Sequence, residues 1–300
     1  MMTKNYILLS ILLCSFFLKP AKAQSDKVAA DSSKLKIMTW NLYMRPRQVF
    51  HNGQLKRAHA IVTQLKDKDY DLIVFQETFD RKARNIIWNG LKEKFPYQSG
   101  SPKKKRLFKL NTGVFMISKL PLEVVDKIFF SVCGGSDCFA VKGAVLIDVV
   151  KNNHKVQIIG THLQAAEGRH MTGQKIRQIQ YEEIKNKLMI PHEEKGVPQF
   201  FVGDLNTSKD DKVSYSQLLT AMDVEDGEIT GDNQFSSAGV QNDLKEAGDK
   251  PHLIDYILCR KNGCVVNFKQ RCVKIFQQTW GKNHKDLSDH YAVYAEIELK

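Results

Sequence analysis

The stretch Phe200-Phe201-Val202-Gly203-Asp204-Leu205-Asn206 has the pattern of a buried strand that ends in a carboxylate and a carboxamide. Four other apolar runs lie directly beside polar residues of similar kind, which are Asn41, Glu77, His162 and the triplet Ser288-Asp289-His290. In layered folds the body of a strand is buried, and polar groups lie where the strand meets water. Metal-ligand and acid/base residues at five strand ends therefore predict a single active site.

The pattern around these strands predicts the fold class. The chain has 300 residues, 42% of them hydrophobic, which is enough for one large domain or two small ones. Apolar residues at helical spacing predict helices near residues 58–65, 85–95 and 176–188, and residues 151–154 form a predicted hairpin turn. Further predicted strands are 199–202, 253–259, 264–268 and 291–299. Hairpins mixed with helical crossovers predict two mixed sheets packed face to face with helices outside, an α/β sandwich.

The N-terminus predicts export. Lys4 begins a basic segment, residues 6–18 are apolar, and Ala21-Lys22-Ala23 resembles a signal-peptidase site. We therefore expect a signal peptide at residues 1–23, a flexible leader at 24–34, and one catalytic domain at 35–300. The mature protein would be secreted or periplasmic, since no later segment is apolar enough over its length to span a membrane.

Charge and cysteine content agree with export. Removal of residues 1–23 takes three lysines from the formal charge of +12 and leaves +9. A cationic protein is attracted to nucleic acid or to anionic lipid, although the charge can also serve only solubility. Cysteines in an oxidising compartment mostly pair, so Cys133 and Cys138 are expected to clamp one loop. Two of Cys259, Cys264 and Cys272 could form a second bridge, and the cysteine spacing does not favour a zinc site.

A set of short motifs resembles the endonuclease/exonuclease/phosphatase superfamily, whose fold is that of deoxyribonuclease I. The motifs follow in the superfamily's order: Asn41, Gln76-Glu77, Gly160-Thr161-His162-Leu163-Gln164, Gly203-Asp204-Leu205-Asn206, Ile254-Asp255-Tyr256 and Ser288-Asp289-His290. The resemblance covers nearly the whole mature chain. It implies a four-layered α/β sandwich and cleavage of a phosphoester with a divalent ion, Mg²⁺ by preference, with Mn²⁺ or Co²⁺ as substitutes.

The chemistry of phosphodiester hydrolysis explains these residue types. The negative charge of a phosphodiester repels nucleophiles, and a divalent ion neutralises it. Mg²⁺ prefers oxygen ligands, and the resemblance implies Glu77 and Asn41 as those ligands.

The resemblance also assigns the acid/base residues. It implies that His290 is the general base and that Asp255 orients its ring. Asp204 and Asn206 would position the nucleophile and a phosphate oxygen. Asp289 would lie near the metal, and His162 would stabilise developing charge or protonate the leaving group. The other histidines lack such a context and are expected in loops or at the surface.

The loop 133–143 resembles that of bacterial and neutral sphingomyelinases, in which an Asp and a Lys five positions apart precede a Gly and a strand. Here these residues are Asp137 and Lys142, and the lysine would contact a phosphate oxygen. The alternative is a disulfide-clamped surface turn with a solvated lysine. The second metal site of bacterial sphingomyelinases is not expected, because Arg81 stands where those proteins have an Asn.

The sequence offers two segments that could contact a membrane, each with an alternative role. The membrane-entering hairpin of the family would fall at residues 269–284, where Phe276 and Trp280 lie among lysines. Phe276 could equally belong to the core. The basic run Lys103-Lys104-Lys105-Arg106 is either a solvated loop or a contact for anionic groups.

These expectations combine into a secreted, Mg²⁺-dependent phosphodiesterase of the phospholipase C type. It would act at a sphingomyelin-containing membrane surface and release ceramide and phosphocholine. The alternatives are a secreted nuclease on the same scaffold, a phosphodiesterase acting on another phospholipid, and a binding module without activity. The last alternative predicts substitutions among the metal-site residues, and the sequence has none.

Overall fold

The computed structural model describes residues 34–104, 110–165, 167–239, 241–246, 248–262, 267–268 and 270–299. The predicted signal peptide and residues 24–33 of the predicted leader lie outside these ranges, while Lys34 already belongs to the first strand. The signal peptide, the leader and the boundary of the catalytic domain stay predictions. Within the described ranges, no helix has the length and apolar character needed to cross a membrane.

The described residues form four α-helices and fifteen β-strands. The helices are α1 (Gln54–Leu65), α2 (Arg81–Leu91), α3 (Gly173–Ile184) and α4 (Lys212–Met222). The strands are β1 (Lys34–Asn41), β2 (Leu72–Gln76), β3 (Tyr97–Gln98), β4 (Phe115–Ser118), β5 (Leu122–Phe129), β6 (Gly143–Lys151), β7 (His154–His162), β8 (Gln199–Asp204), β9 (Val224–Asp226), β10 (Glu228–Thr230), β11 (Asp255–Arg260), β12 (Gln270–Lys274), β13 (Gln277–Gly281), β14 (His284–Asp286) and β15 (Ala292–Glu298).

The strands form two large mixed sheets and a separate hairpin. The first sheet has the order β10-β12-β15-β1-β2-β4-β3, and the second has the order β5-β6-β7-β8-β11-β9. Strands β13 and β14 pair only with each other among the described strands. The predicted hairpin turn is confirmed between β6 and β7, where Asn152 and Asn153 both have positive φ (49° and 66°). Two successive residues with positive φ are the signature of the tight turn that matches strand twist.

Three apolar clusters hold four layers together. Alternate residues of a strand point to opposite faces, so Phe200 and Val202 of β8 pack between the two sheets while Phe201 packs outward. Residues of β1 and β2 that face away from the second sheet pack under α1 and α2. Residues of β7 and β8 that face the other way pack under α3 and α4. The predicted four-layered α/β sandwich is confirmed.

Helix α4 has no counterpart among the predicted elements. Its buried positions are Ser214, Leu218 and Met222, so its apolar stripe contains a polar residue and is weak as a periodic signal. Asp211 caps the helix by accepting from the N–H of Ser214 at 3.1 Å. Of the strand predicted at 264–268, residues 264–266 lie outside the described residues.

A disulfide joins Cys133 to Cys138 with an S–S distance of 2.02 Å, as predicted. Such a bond is typical of proteins outside the reducing cytosol. A second bridge stays a prediction, since Cys264 lies outside the described residues.

The topology brings the predicted site residues to one edge of the sandwich. Strands β1 and β2 are parallel, as are β7 and β8, so their carboxyl ends point the same way in each sheet. Strands β15 and β11 run antiparallel to β1 and β8, so their amino ends lie at this same edge. Residues far apart in the sequence therefore meet where the two sheets end.

Candidate active site

Asn41 and Glu77 lie side by side at the end of the first sheet. Asn41 is the last residue of β1 and is opposite Gln76, which Glu77 follows. Glu77 has a φ of 52°, a left-handed conformation that is uncommon for residues other than glycine. Such backbone geometry is concentrated at functional sites, where the surrounding structure imposes it.

The side chain of Asn41 links the two sheets. Its Nδ2 donates to Oε1 of Glu77 at 3.1 Å and to Oδ2 of Asp204 at 2.9 Å. Its Oδ1 accepts from the N–H of Tyr43 at 3.0 Å. Asn41 thus turns its amide nitrogen toward the carboxylates, whereas a metal ligand must present oxygen. Its predicted role as a ligand requires the amide to turn around and stays a prediction.

Asp204 lies at the centre of the site. It ends β8 opposite His162 of β7 and Asp255 of β11. Its Oδ2 is 3.5 Å from Nε2 of His162 and 3.9 Å from Nε2 of His290. Gly203 before it has a φ of 145°, and an added Cβ would lie 2.0 Å from the carbonyl oxygen of Thr161. The close approach of β7 and β8 that sets His162 beside Asp204 therefore requires glycine.

Asn206 completes the turn after β8. It has a φ of 48°, and its N–H donates to Oδ1 of Asp204 at 3.0 Å. Its Nδ2 donates to the carbonyl of Leu163 at 3.1 Å. These bonds fix both the central carboxylate and the loop that follows His162.

His290 and Asp255 form a buried pair. Nδ1 of His290 lies 2.8 Å from Oδ2 of Asp255, and both side chains are almost fully buried. The indole N–H of Trp40 donates to the carbonyl of His290 at 2.9 Å, and the hydroxyl of Ser236 accepts from the N–H of Asp255 at 3.0 Å. Burial lowers the pKa of His290, but the carboxylates of Asp255 and Asp289 outweigh burial and raise that pKa to about 10. The pairing predicted from sequence is present in the structure, while the role of general base stays a prediction.

His162 is in a different electrostatic environment. Burial first, and then the positive charge of the neighbouring Lys142, lower the pKa of its ring to about 3. Nζ of Lys142 is 3.2 Å from Nε2 of His162, and the buried Nδ1 has no hydrogen-bond partner among the described residues. His162 is therefore a neutral imidazole here, its Nε2 accepts from the ammonium group of Lys142, and it does not carry the second ring proton that a cationic acid would give up.

The loop of Asp137 and Lys142 reaches the site. Lys142 is 5% exposed, so it is not a solvated surface lysine. Its Nζ is 3.0 Å from Oδ2 of Asp137 and donates to the carbonyl of Leu163 at 2.7 Å. The same Asp137 oxygen accepts from the N–H of Ala165 at 2.7 Å. These contacts bind the disulfide-clamped loop to the segment after His162.

Asp289 lies beside this cluster and acts on it through its charge. The hydroxyl of Ser288 donates to the Asn41 carbonyl at 2.6 Å and to Oδ1 of Asp289 at 3.3 Å. Burial first, and then the charge of Asp289, raise the pKa of Glu77 to about 7. Carboxylates held this close at the mouth of a low-dielectric site fit a divalent cation, which would offset their mutual repulsion.

A further group of possible ligands overlaps the site. Asp204, Asp255 and His290 each bring one donor atom within 4.8 Å of the others. Oδ2 of Asp255 is already bonded to the ring of His290, which is the arrangement of an orienting carboxylate. The role of Glu77 as a ligand of the cation stays a prediction.

Arg57 on α1 belongs to none of the sequence motifs, yet it supports the site. This side chain is completely buried and donates to the carbonyls of Leu42 and Leu287 at 2.6 and 2.9 Å. It also donates to the carbonyl of Tyr43 at 2.6 Å. Arg57 thus joins the segment after Asn41 to the segment before His290. An arginine on an amphipathic helix gives no signal of such a role in the sequence.

Of the two alternatives for Phe276, membrane contact or core, the structure favours the core. Phe276 is 7% exposed and packs on Trp40 with the ring centroids 5.2 Å apart, so it belongs to the core under α1. Trp280 is half-buried on β13, where it stacks on His284 with the ring centroids 4.6 Å apart. It also covers Gly53 at the start of α1. The β13–β14 hairpin therefore packs back on the sandwich and does not project its aromatic residues.

Comparison with known proteins identifies the family. A model described as the Endonuclease/Exonuclease/phosphatase family matches residues 38–290. The chain belongs to this family. The resemblance drawn from the sequence motifs is confirmed, and membership supports the predicted enzyme class, a phosphodiester hydrolase.

Similar members of the family include two bacterial proteins. Sphingomyelinase C 2 of Leptospira interrogans is 30% identical over 90% of this chain, and the match covers 47% of that protein. The chain thus spans about half the length of this relative. Phospholipase C of Staphylococcus aureus is 30% identical, with 92% of this chain and 90% of the relative covered.

A solved structure agrees with these matches. The beta toxin from Staphylococcus aureus, crystallised with bound magnesium ions, is 26% identical and superimposes with a TM-score of 0.74. The match covers 89% of this chain and 100% of the toxin. The bound ions in this family member and the donor set around Glu77 both support a divalent cation.

Proposed function

We propose that this protein is a secreted, Mg²⁺-dependent phosphodiesterase of the phospholipase C type that hydrolyses sphingomyelin. The observation that carries the proposal is the meeting of Glu77, Asn41 and Asp204 with the His290–Asp255 pair at one edge of the sandwich. This constellation has a cation-binding side and a proton-accepting side. The sphingomyelinase names of the relatives support the choice of substrate.

The residues fit a hard divalent cation. Glu77 supplies a carboxylate whose pKa is raised by burial and then by the charge of Asp289, and Asn41 supplies an oxygen if its amide turns around. When bound, the cation neutralises charge on the phosphate and on the departing oxygen, and it lowers the pKa of the nearby imidazole. Mn²⁺ and Co²⁺ accept similar ligands and are expected to substitute.

The proton-transfer side is formed by the chain itself. Asp255 holds the Nδ1 proton of His290, which leaves Nε2 to take a proton from the attacking water. Asp204 and Asn206 position that water and a phosphate oxygen. The water oxygen bonds to phosphorus as the bond from phosphorus to the primary oxygen of ceramide breaks. The departing oxygen then takes a proton from solvent while His290 releases its extra proton to solvent, which gives ceramide and phosphocholine.

His162 and Lys142 stabilise charge on the phosphate. Lys142 contributes a positive charge beside Nε2 of His162, and Asp137 keeps its ammonium group in place. When the ammonium group turns from Nε2 to the phosphate, the neutral ring of His162 can donate from Nε2 to an oxygen that gains charge. Lys142 and His162 are buried, and the contacts of Lys142 with His162 and Asp137 keep the three groups together.

Secretion is supported by two features. The Cys133–Cys138 disulfide fits an oxidising compartment. The residues 1–23 have the composition of a signal peptide.

The net charge of +12 favours a second candidate, a nuclease with the same catalytic centre. Both candidates need the same metal and base, so the substrate has to be tested directly.

Phosphocholine release from sphingomyelin vesicles, with Mg²⁺ or with EDTA, tests the proposal. We expect release that needs the metal and falls by about 10²–10⁴ in the His290→Ala variant. The matched control is His154→Ala, which alters the opposite end of β7. Folded protein that releases no phosphocholine, or that nicks plasmid DNA instead, refutes the proposed substrate.

A further inference from the structure

The two most exposed large apolar side chains among the described residues are Phe139 and Val49, at 72% and 70% exposure. Phenyl and isopropyl groups gain nothing from contact with water. Isolated exposed apolar residues are common, so their position relative to the site decides whether they matter.

Both residues lie on loops that form the site. Phe139 ends the short 3₁₀ segment Gly135–Phe139, two residues after Asp137, whose carboxylate bonds Lys142. Val49 lies in the loop that follows β1. This loop is tied to the turn of Glu77, because the N–H of Met44 donates to the Glu77 carbonyl at 3.1 Å.

A depression of about 450 Å³ lies between the loop after β1, the start of α2 and Leu110. Val49 borders it, because its N–H donates to the carbonyl of the wall residue Pro46 at 3.1 Å. Its walls include Arg47, Arg81 and Lys82, together with Leu110, whose N–H donates to the carbonyl of Phe139 at 3.3 Å. The one carboxylate in the wall belongs to Asp80, which pairs with Arg47 at 2.8 Å. Arg81 and Lys82 are exposed, so the depression has an uncompensated positive charge.

We propose that this face, which we call the docking face and define by Val49, Phe139, Arg47, Arg81 and Lys82, seats the protein on a lipid surface. The inference rests on the proposed function and names the part of the chain that meets the membrane. Phe139 and Val49 enter the acyl boundary, and the cations of the depression contact headgroup phosphates.

The docking face fits a lipid surface better than the β13–β14 hairpin does. Phe276 is committed to the core, whereas Phe139 is free of such packing and lies beside the loop that carries Lys142. A nucleic acid would be attracted by Arg81 and Lys82, but Val49 has no flat ring on which a base could stack. A bilayer interface offers both an apolar phase and phosphates, and so matches both kinds of side chain.

Vesicle flotation in EDTA measures docking without turnover. The vesicles contain sphingomyelin and phosphatidylcholine, with or without phosphatidylserine. We expect the Val49→Ser/Phe139→Ser double variant to bind about tenfold to a hundredfold more weakly than the unaltered protein. The Val213→Ser control changes a 66% exposed residue on α4 and should bind normally. Lys82→Glu should weaken binding chiefly to vesicles that contain phosphatidylserine.

A water-soluble phosphodiester, p-nitrophenylphosphocholine, separates docking from catalysis. With Mg²⁺, the double variant should hydrolyse it within about twofold of the unaltered protein while losing activity on vesicles. Unchanged flotation of the double variant overturns the inference, as does an equal loss on both substrates. Weaker binding of a DNA oligonucleotide with normal flotation would point to nucleic acid instead and also overturns it. Flotation of the unaltered protein without sphingomyelin hydrolysis would refute the proposed function and leave the docking face standing.

Discussion

Replacement of Asp255 by Asn tests whether an ion pair holds His290 in place. Asn keeps the shape of the side chain and removes its charge, so the ring of His290 loses the carboxylate 2.8 Å from its Nδ1. The pKa of His290 is raised to about 10 by its carboxylate neighbours, so the ring is a cation at pH 7 when metal is absent. At pH 7, three units below this pKa, the free energy by which the folded protein favours the protonated ring is about 4 kcal/mol. Asp289 also raises this pKa, so we expect the variant to lose about 2–4 kcal/mol of unfolding free energy at pH 7.

The loss must depend on pH with a definite sign. A histidine whose pKa is higher in the folded than in the unfolded protein stabilises the fold fully below the unfolded value of about 6.5. This stability disappears as the pH rises through 10. The difference between Asp255→Asn and the unaltered protein should therefore be largest near pH 6. It should shrink toward about 1 kcal/mol near pH 10, where a neutral hydrogen bond is all that is lost.

Urea unfolding in EDTA, followed by tryptophan fluorescence at pH values from 6 to 10, measures this difference. The matched control is Asp210→Asn, which alters an exposed carboxylate 3.7 Å from the ring of His252. We expect the control to change the unfolding free energy by less than about 0.5 kcal/mol at every pH. A cost for Asp255→Asn that does not vary with pH would refute the ion-pair argument.

Three further predictions concern the metal side, the core and the strand pair. The raised pKa of Glu77, about 7, means that protons compete with the cation, so Mg²⁺ affinity measured calorimetrically should rise as the pH increases through about 7 and Glu77 ionises. Glu77→Gln should abolish this rise, and a pH-independent affinity in the unaltered protein would contradict it. Phe276→Ala should cost about 3–5 kcal/mol of unfolding free energy, whereas Phe139→Ala should cost less than about 1, and equal costs would show that Phe276 is not core. Gly203→Ala should destabilise by at least about 1–3 kcal/mol, because the new Cβ would meet the carbonyl of Thr161, and a normal melting temperature would contradict that contact.

The convergence of the site could be predicted because it follows from strand polarity. Asn41 and His162 end strands, and His290 lies two residues before a strand, so polar residues beside apolar runs indicated the positions of the site residues in the sheets. The hairpin turn at Asn152 and Asn153 could likewise be predicted, because asparagine tolerates the positive φ that such turns require. Features of this kind can be predicted because they are determined by residues that are adjacent in the chain.

Other features depend on contacts that no local pattern encodes. Arg57 has the appearance of a surface residue on a helix, yet it is buried because three backbone carbonyls from two distant segments surround it. Phe276 beside lysines resembles a membrane anchor, but Trp40 of β1 supplies a place for it in the core. The orientation of the Asn41 amide is set by Tyr43 and Asp204 together, and only the assembled sheets define it.

The edge of the sandwich that carries the candidate active site therefore also helps to join the two sheets. Apolar side chains fill the space between the sheets, and at this edge Asn41 of one sheet also bonds Asp204 of the other. The segment before β15 is held to β1 at the same edge, since Ser288 donates to the carbonyl of Asn41. Such buried polar contacts form only in one register of the sheets and leave costly unpaired groups in any other. The arrangement thus ties correct packing of the sheets to assembly of the site before any cation or substrate binds.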